Sequence, residues 1–308
     1  MALHPFIANQ MALSRAAHRP GLSAGSPAQA RALVASARGT LGPGPAVDDV
    51  TDLAIPARGG PVPARMYVAA RDDVHGLLVY VHGGGWVCGA LDDFDALART
   101  LAVRSRCAVL LVDYRLAPEH RFPCGLHDVE DALSWAEAAR KSGFGRELPL
   151  VVAGDSAGAN LATVALANLS QQVQTCLQCL FYPVTDCDMA RPSYLRYADD
   201  LPLTRQDMAW FFTHYADRQD WTDPRIAPLR HPHLAGSAPA WIAVAEFDVL
   251  HDEGVLFGEH LARSGVPVEV VEVASLAHGF VRLFNLLPEA DAVIAAASAR
   301  IRLACGVD

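Results

Sequence analysis

The sequence predicts an α/β architecture, a doubly wound and mostly parallel sheet of about eight strands with helices on both faces. Three observations predict it. Between residues 76 and 272 short apolar runs recur: "GLLVYVH", "CAVLLVD", "PLVVAGD", "CLQCLFYPV", "AWIAVAEF" and "VPVEVVEV". Each is continuous instead of alternating, the pattern of a strand buried on both faces. The stretches between them, such as 94–105, 124–141, 157–170 and 252–264, have the length of crossover helices. Finally, 308 residues that are 52% hydrophobic and 19% charged suffice for one large core without a second independent domain.

Taken in order, the N-terminal "MALHPFIANQMALSRAAHRP" is broken by His4, Asn9, Gln10, Arg15 and His18, so it lacks the apolar stretch of a secretory signal. No other window approaches the roughly 20 apolar residues that cross a bilayer. A soluble cytoplasmic protein is expected. Ser26 followed by Pro27 places an N-cap and first turn ahead of a helix to about Ser36, and "GTLGPGPA" follows as a linker. Segments near 50–57 and 63–69, separated by "RGGP", read as an antiparallel hairpin at the sheet edge. Residues 187–225 interrupt the alternation with aromatic and polar residues, and Thr204 is placed to cap a helix carrying Met208, Trp210, Phe211, Phe212 and Tyr215.

Charge and cysteine content narrow the function classes. The net charge of −9 with no basic cluster argues against a nucleic-acid partner. Seven scattered cysteines fit reduced thiols, not a disulfide framework. Cys176 and Cys179 have CxxC spacing, but three residues along a strand point to opposite faces, and no second ligand pair is near. Core thiols are therefore expected, with no metal and no organic cofactor.

Chemistry concentrates at "VAGDSAGAN". A strand ending at Ala153, then Gly154, Asp155, Ser156, Ala157, Gly158 and a helix, is a G-x-S-x-G nucleophile elbow in its strand-turn-helix context. Strand and helix approach so closely there that only small residues fit at 154 and 158. An elbow serine needs a base, an acid to orient it, and donors for an oxyanion. Upstream, "VYVHGGGW" runs from a strand into His82, Gly83, Gly84, Gly85 and Trp86, a loop whose unshielded N–H groups suit an oxyanion hole, with Ala157 N–H as a further donor. Downstream, Asp248 follows one strand in "VAEFDVLHDEG" and His278 follows the next in "ASLAHGF", in the serine, acid, histidine order expected on this fold. Asp252 and Glu253 compete as acids but fall at the start of a helix, where the dipole favours carboxylates.

Together these residues resemble the bacterial hormone-sensitive-lipase-like esterases, the family IV carboxylesterases of the α/β-hydrolase fold. The similarity rests on "HGGGW", "VDYRLAPEHRFP", "GDSAGAN", "PSY", "LTR", "DPR", "AEFDVLHDEG" and "HGF", spread over nearly the whole chain. It implies Ser156 as nucleophile, His278 as base then acid, Asp248 as its partner, and Gly84, Gly85 and Ala157 as oxyanion donors. It further implies a cap made by residues 1–45 and 187–225 over a catalytic domain of 46–186 and 226–308. Trp210 and Phe211 would line the entrance and Trp86 would lie near the site, while Asp113, Arg115 and Glu119 would support the loops. The chain departs from the family's "DPLRDEG" with Val249 for proline and His251 for arginine, which predicts a missing turn restraint and charge pair.

The implied activity is hydrolysis of short to medium acyl esters, with a small-molecule ester as substrate and no membrane partner. The same triad would also serve an amide, such as an aryl formamide, or a lactone. A non-catalytic small-molecule receptor on this fold would lack a triad member, and none is lacking. A monomer or a homodimer paired through the edge strand near 267–272 is compatible with the residues.

Overall fold

The computed structural model describes residues 2–232 and 234–307. Its sheet contains β1 (Asp49–Ile55), β2 (Val62–Val68), β3 (Gly76–Val81), β4 (Cys107–Val112), β5 (Leu150–Asp155), β6 (Leu177–Phe181), β7 (Ala240–Phe247) and β8 (Val268–Ala277), in the spatial order β1-β2-β4-β3-β5-β6-β7-β8. β1 pairs antiparallel with β2 and β2 with β4, so the hairpin sits at one edge. From β4 to β8 all pairs are parallel. This is the α/β-hydrolase fold.

Every residue of β3, β4, β5 and β6 is buried, as continuous apolar runs require. Alternate side chains feed two cores: Leu77, Val79 and Val81 face one, Leu78 and Tyr80 the other. β8 differs from the expectation of a strand buried on both faces. As the edge strand it exposes Glu269 and Glu272, and it runs beyond the apolar segment to Ala277 through a register shift against β7 between Ala245 and Phe247.

The helices are α1 (Pro5–Ala16), α2 (Pro27–Ser36), α3 (Arg38–Leu41), α4 (Leu91–Ser105), α5 (Cys124–Ser142), α6 (Ala157–Asn168), α7 (Pro192–Arg196), α8 (Arg205–Tyr215), α9 (His251–Arg263) and α10 (Pro288–Ala304). Ser26 and Thr204 both cap as the sequence predicts, each in a reciprocal box with the residue three positions on, Gln29 and Asp207. α1 is not announced by the sequence because it buries only Ile7 and so has no apolar stripe to read. No helix among the described residues is long and apolar enough to cross a membrane.

Cys179 is buried in the core and all seven cysteines are free thiols. Cys176 corrects one expectation. It lies just before β6, so strand alternation does not apply to it, and it packs on the same core as Cys179.

Candidate active site

β5 ends at Asp155, and Ser156 takes φ 54° and ψ −121° before α6 starts at Ala157. A non-glycine residue in that conformation costs about 1–3 kcal/mol, so its surroundings must hold it. They do: Ser156 N–H donates to Phe181 O at 2.9 Å, and Ser156 O accepts from Asn160 N–H at 3.1 Å. Asn160 Nδ2 is itself fixed to Val184 O and Ile226 O. The flanking glycines are a steric necessity. A Cβ on Gly154 would sit 2.8 Å from Gly158 C and Val81 O, and one on Gly158 would overlap the carbonyls of Val81 and His82. The turn therefore presses α6 against β3, which aims the helix N-terminus and its partial positive charge at Ser156.

Three strand ends bring the remaining groups together. Asp248 follows β7 and is fully buried, with Oδ1 accepting from Leu250 N–H at 3.0 Å. His278 follows β8, its Nδ1 2.7 Å from Asp248 Oδ2 and its Nε2 3.0 Å from Ser156 Oγ. The imidazole is packed by Tyr182, ring centroids 4.5 Å apart, and Tyr182 is braced edge-on by Phe280. The competing acids face elsewhere. Asp252 accepts from Ser193 N–H and contacts His251, while Glu253 is buried and accepts from the N–H groups of Thr185 and Asp186. Burial pushes the Glu253 carboxyl well above its ordinary range, against the pull of those two N–H donors.

The glycine loop leaves β3 beside the serine. Gly84 (φ 123°) and Gly85 (φ 60°) both need glycine's backbone freedom, and a Cβ on Gly85 would also strike the Phe211 ring. Gly84 O closes the turn by accepting from Val87 and Cys88 N–H. The N–H groups of Gly84 and Gly85 take no acceptor among the described residues. Ala157, at the first position of α6, has an N–H without an intrahelical partner. Three backbone donors are thus free, two on a loop that lines the same cavity as Ser156 and one on the residue after it.

Asp155 is a positioning residue that the motif reading passed over as the variable position of G-x-S-x-G. Its Oδ1 accepts from Gly83 N–H at 2.8 Å and Tyr80 O–H at 2.9 Å, anchoring the loop to the elbow. Burial raises its pKa despite both donors. Arg31 on α2 makes a second anchor, donating to Val87 O and Ala117 O and pairing with Glu119. Of the residues expected to support the loops, Glu119 does so through Arg31 and Arg115 pairs with Asp128, whereas Asp113 comes only within 3.8 Å of His82, whose Nε2 has no hydrogen-bond partner among the described residues.

A cavity of about 200 Å³ opens over Ser156 and His278. Its walls include Leu22 and Val34 from the N-terminal segment and Pro202, Leu203, Met208 and Phe211 from the insertion. Phe211 lines it as expected, but Trp86 and Trp210 do not. Trp86 is buried behind the loop, stacked parallel on Tyr215 with centroids 4.3 Å apart. Trp210 precedes Phe211 on α8 and so points about 100° away; it packs on His214 and the Phe211 edge.

His251 restores by another route the link that the departure from "DPLRDEG" puts in doubt. It meets Asp252 at 3.1 Å and Glu272 of β8 at 2.9 Å. Val249 is buried, and its carbonyl accepts from Ser193 Oγ at 2.7 Å.

This fold with a serine elbow after β5, a buried acid after β7 and a histidine after β8 defines an α/β hydrolase, and the family described as alpha/beta hydrolase fold matches residues 78–282. The chain is 39% identical over 253 residues to the ethyl acetate hydrolase of Pseudomonas putida, a match covering 79% of each. It is 41% identical over 255 residues to the carboxylic ester hydrolase LipN of Mycobacterium tuberculosis, covering 79% of this chain and 68% of LipN. Among solved structures, the hyperthermophilic esterase of Pyrobaculum calidifontis superposes with a TM-score of 0.91 at 32% identity, over 98% of this chain and 99% of the other. The chain belongs to the hormone-sensitive-lipase-like, family IV carboxylesterases of bacteria.

Proposed function

We propose that this chain hydrolyses short to medium acyl esters through an acyl-enzyme on Ser156. Ser156 Oγ attacks the ester carbonyl as its proton passes to His278 Nε2, and Asp248 holds the imidazolium by Nδ1–H. The carbonyl oxygen becomes an oxyanion that accepts from Gly84, Gly85 and Ala157 N–H. Collapse breaks the bond to the alcohol oxygen, which takes the proton from Nε2. Water then gives a proton to Nε2 and attacks the acyl carbon, and collapse returns that proton to Ser156 Oγ and releases the carboxylic acid.

One observation carries this reading: the continuous Asp248–His278–Ser156 hydrogen-bond chain faces backbone N–H groups that have no acceptor of their own. The cavity over Ser156, walled by apolar side chains of the N-terminal segment and the insertion, supports a preference for short to medium acyl groups. We assign the cap to residues 1–45 and 187–225 because both segments contribute its walls. A p-nitrophenyl ester series from acetate to palmitate tests the proposal. Activity should peak at short chains and vanish in Ser156→Ala. Near-full activity in that variant overturns the nucleophile, and rates rising steadily to palmitate overturn the chain-length preference.

A further inference from the structure

We propose that Arg282 selects esters that carry a carboxylate several carbons from the scissile carbonyl, such as half-esters of dicarboxylic acids. The inference rests on the serine esterase reading and names a substrate class for the same pocket. Arg282 lies four residues after His278, on the short 3-10 turn Phe280–Leu283, and lines the catalytic cavity. No other lysine or arginine lines that cavity. It also lines a neighbouring cavity of about 330 Å³ bounded by α3 and α4, so the residue is shared by the walls of both.

The charge of Arg282 has no carboxylate partner among the described residues; the same holds for Arg19, Arg146, Arg196, Arg205, Arg218 and Arg302, but none of those lines the catalytic cavity. Arg31, Arg38, Arg65, Arg115 and Arg230 all hold acids within 4 Å. Arg282 has only a long 3.4 Å bond from Nη2 to Val34 O and the face of Phe94, 5.4 Å from the guanidinium carbon. Among the described residues its buried Nε has no partner and its Nη1 donates to no acceptor. The acids nearby are engaged. Asp92 and Asp93 pair with Arg38, Asp95 with Arg99, and Asp155 accepts from Gly83 and Tyr80. A planar fork of donors left uncompensated beside a catalytic histidine matches a carboxylate, which it grips through paired N–H bonds. A site built with such donors discriminates against a substrate that leaves them unpaired.

The experiment compares matched esters by pH-stat at pH 7.5: monomethyl adipate against methyl hexanoate, and 6-acetoxyhexanoate against hexyl acetate, so that the carboxylate is tried on the acyl and on the alcohol side. The readout is the ratio of kcat/KM, anionic over neutral, in wild type, Arg282→Gln and Arg282→Lys. For at least one pair the ratio should fall tenfold or more in Arg282→Gln, chiefly through KM, with partial retention in Arg282→Lys. The wild-type ratio alone should also fall with added salt, since an ion pair is screened. If Arg282 only tethers α2 through Val34, both members of each pair change by one factor, the ratio stands still, and the proposal is overturned. Failure of wild type to hydrolyse either neutral ester instead overturns the esterase reading on which it rests.

Discussion

Replacing Asp248 by asparagine tests how the acid acts, because both its oxygens are already committed. Oδ1 accepts from Leu250 N–H at 3.0 Å and Oδ2 from His278 Nδ1–H at 2.7 Å. In Asp248→Asn the Leu250 donor retains the amide oxygen, so the NH₂ faces Nδ1. Nδ1 must then accept, Nε2 carries the proton, and the imidazole can no longer take one from Ser156 Oγ 3.0 Å away. The opposite amide orientation restores the tautomer but sets NH₂ against Leu250 N–H, leaving a buried donor unsatisfied at about 1–3 kcal/mol. Exchanging a charged for a neutral acceptor on the imidazolium loses about 1–2 kcal/mol more. The total of about 2–5 kcal/mol corresponds to a drop in kcat of roughly 30- to 5,000-fold, at about 1.36 kcal/mol per decade. The assay is p-nitrophenyl butyrate hydrolysis from pH 6 to 9.5, with circular dichroism to confirm folding. Residual activity should climb with pH as hydroxide replaces the lost base. A loss under tenfold, or an equal loss in Asp252→Asn, refutes the reasoning.

Two further predictions concern stability. Gly158→Ala should destabilise by about 3 kcal/mol and lower kcat as well, because the new methyl meets the backbone carbonyls of Val81 and His82 where β3 leads into the glycine loop. Gly39→Ala, with open space around it, is the control; equal urea midpoints for the two variants would contradict the steric account. His251 predicts a pH effect. Burial disfavours its charge, but hydrogen bonds to Asp252 and Glu272 outweigh that and raise its pKa above the ordinary 6.5. A raised folded pKa contributes stability that is full below the unfolded pKa and is lost as pH rises through the folded one. His251→Gln should therefore cost about 1 kcal/mol at pH 5.5 and little at pH 9 in urea unfolding, and an equal cost at both pH values would count against it.

Much of the fold and site is legible in the sequence because it depends on local causes. Continuous apolar runs read as buried strands, Ser26 and Thr204 read as caps, and the glycines around Ser156 follow from the steric limits of a strand-turn-helix elbow. The chain order of Ser156, Asp248 and His278 follows from the same elements. Where a local signal is weak the reading fails: α1 buries a single side chain, and β8 exposes charges that its apolar flanks conceal.

The sequence by itself determined the sheet, the elbow and the residues available for chemistry, since backbone sterics, helix caps and hydrophobic period act over a few positions. Tertiary structure alone decided that Trp86 turns from the pocket to stack on Tyr215, that Asp155 anchors the glycine loop, and that Arg282 lines the cavity without a carboxylate partner among the described residues. Those outcomes join side chains far apart along the chain, as His278 and Ser156 are joined across 122 positions. The direction of each such side chain is set by the packing of the elements that carry it, and no neighbouring residue encodes it.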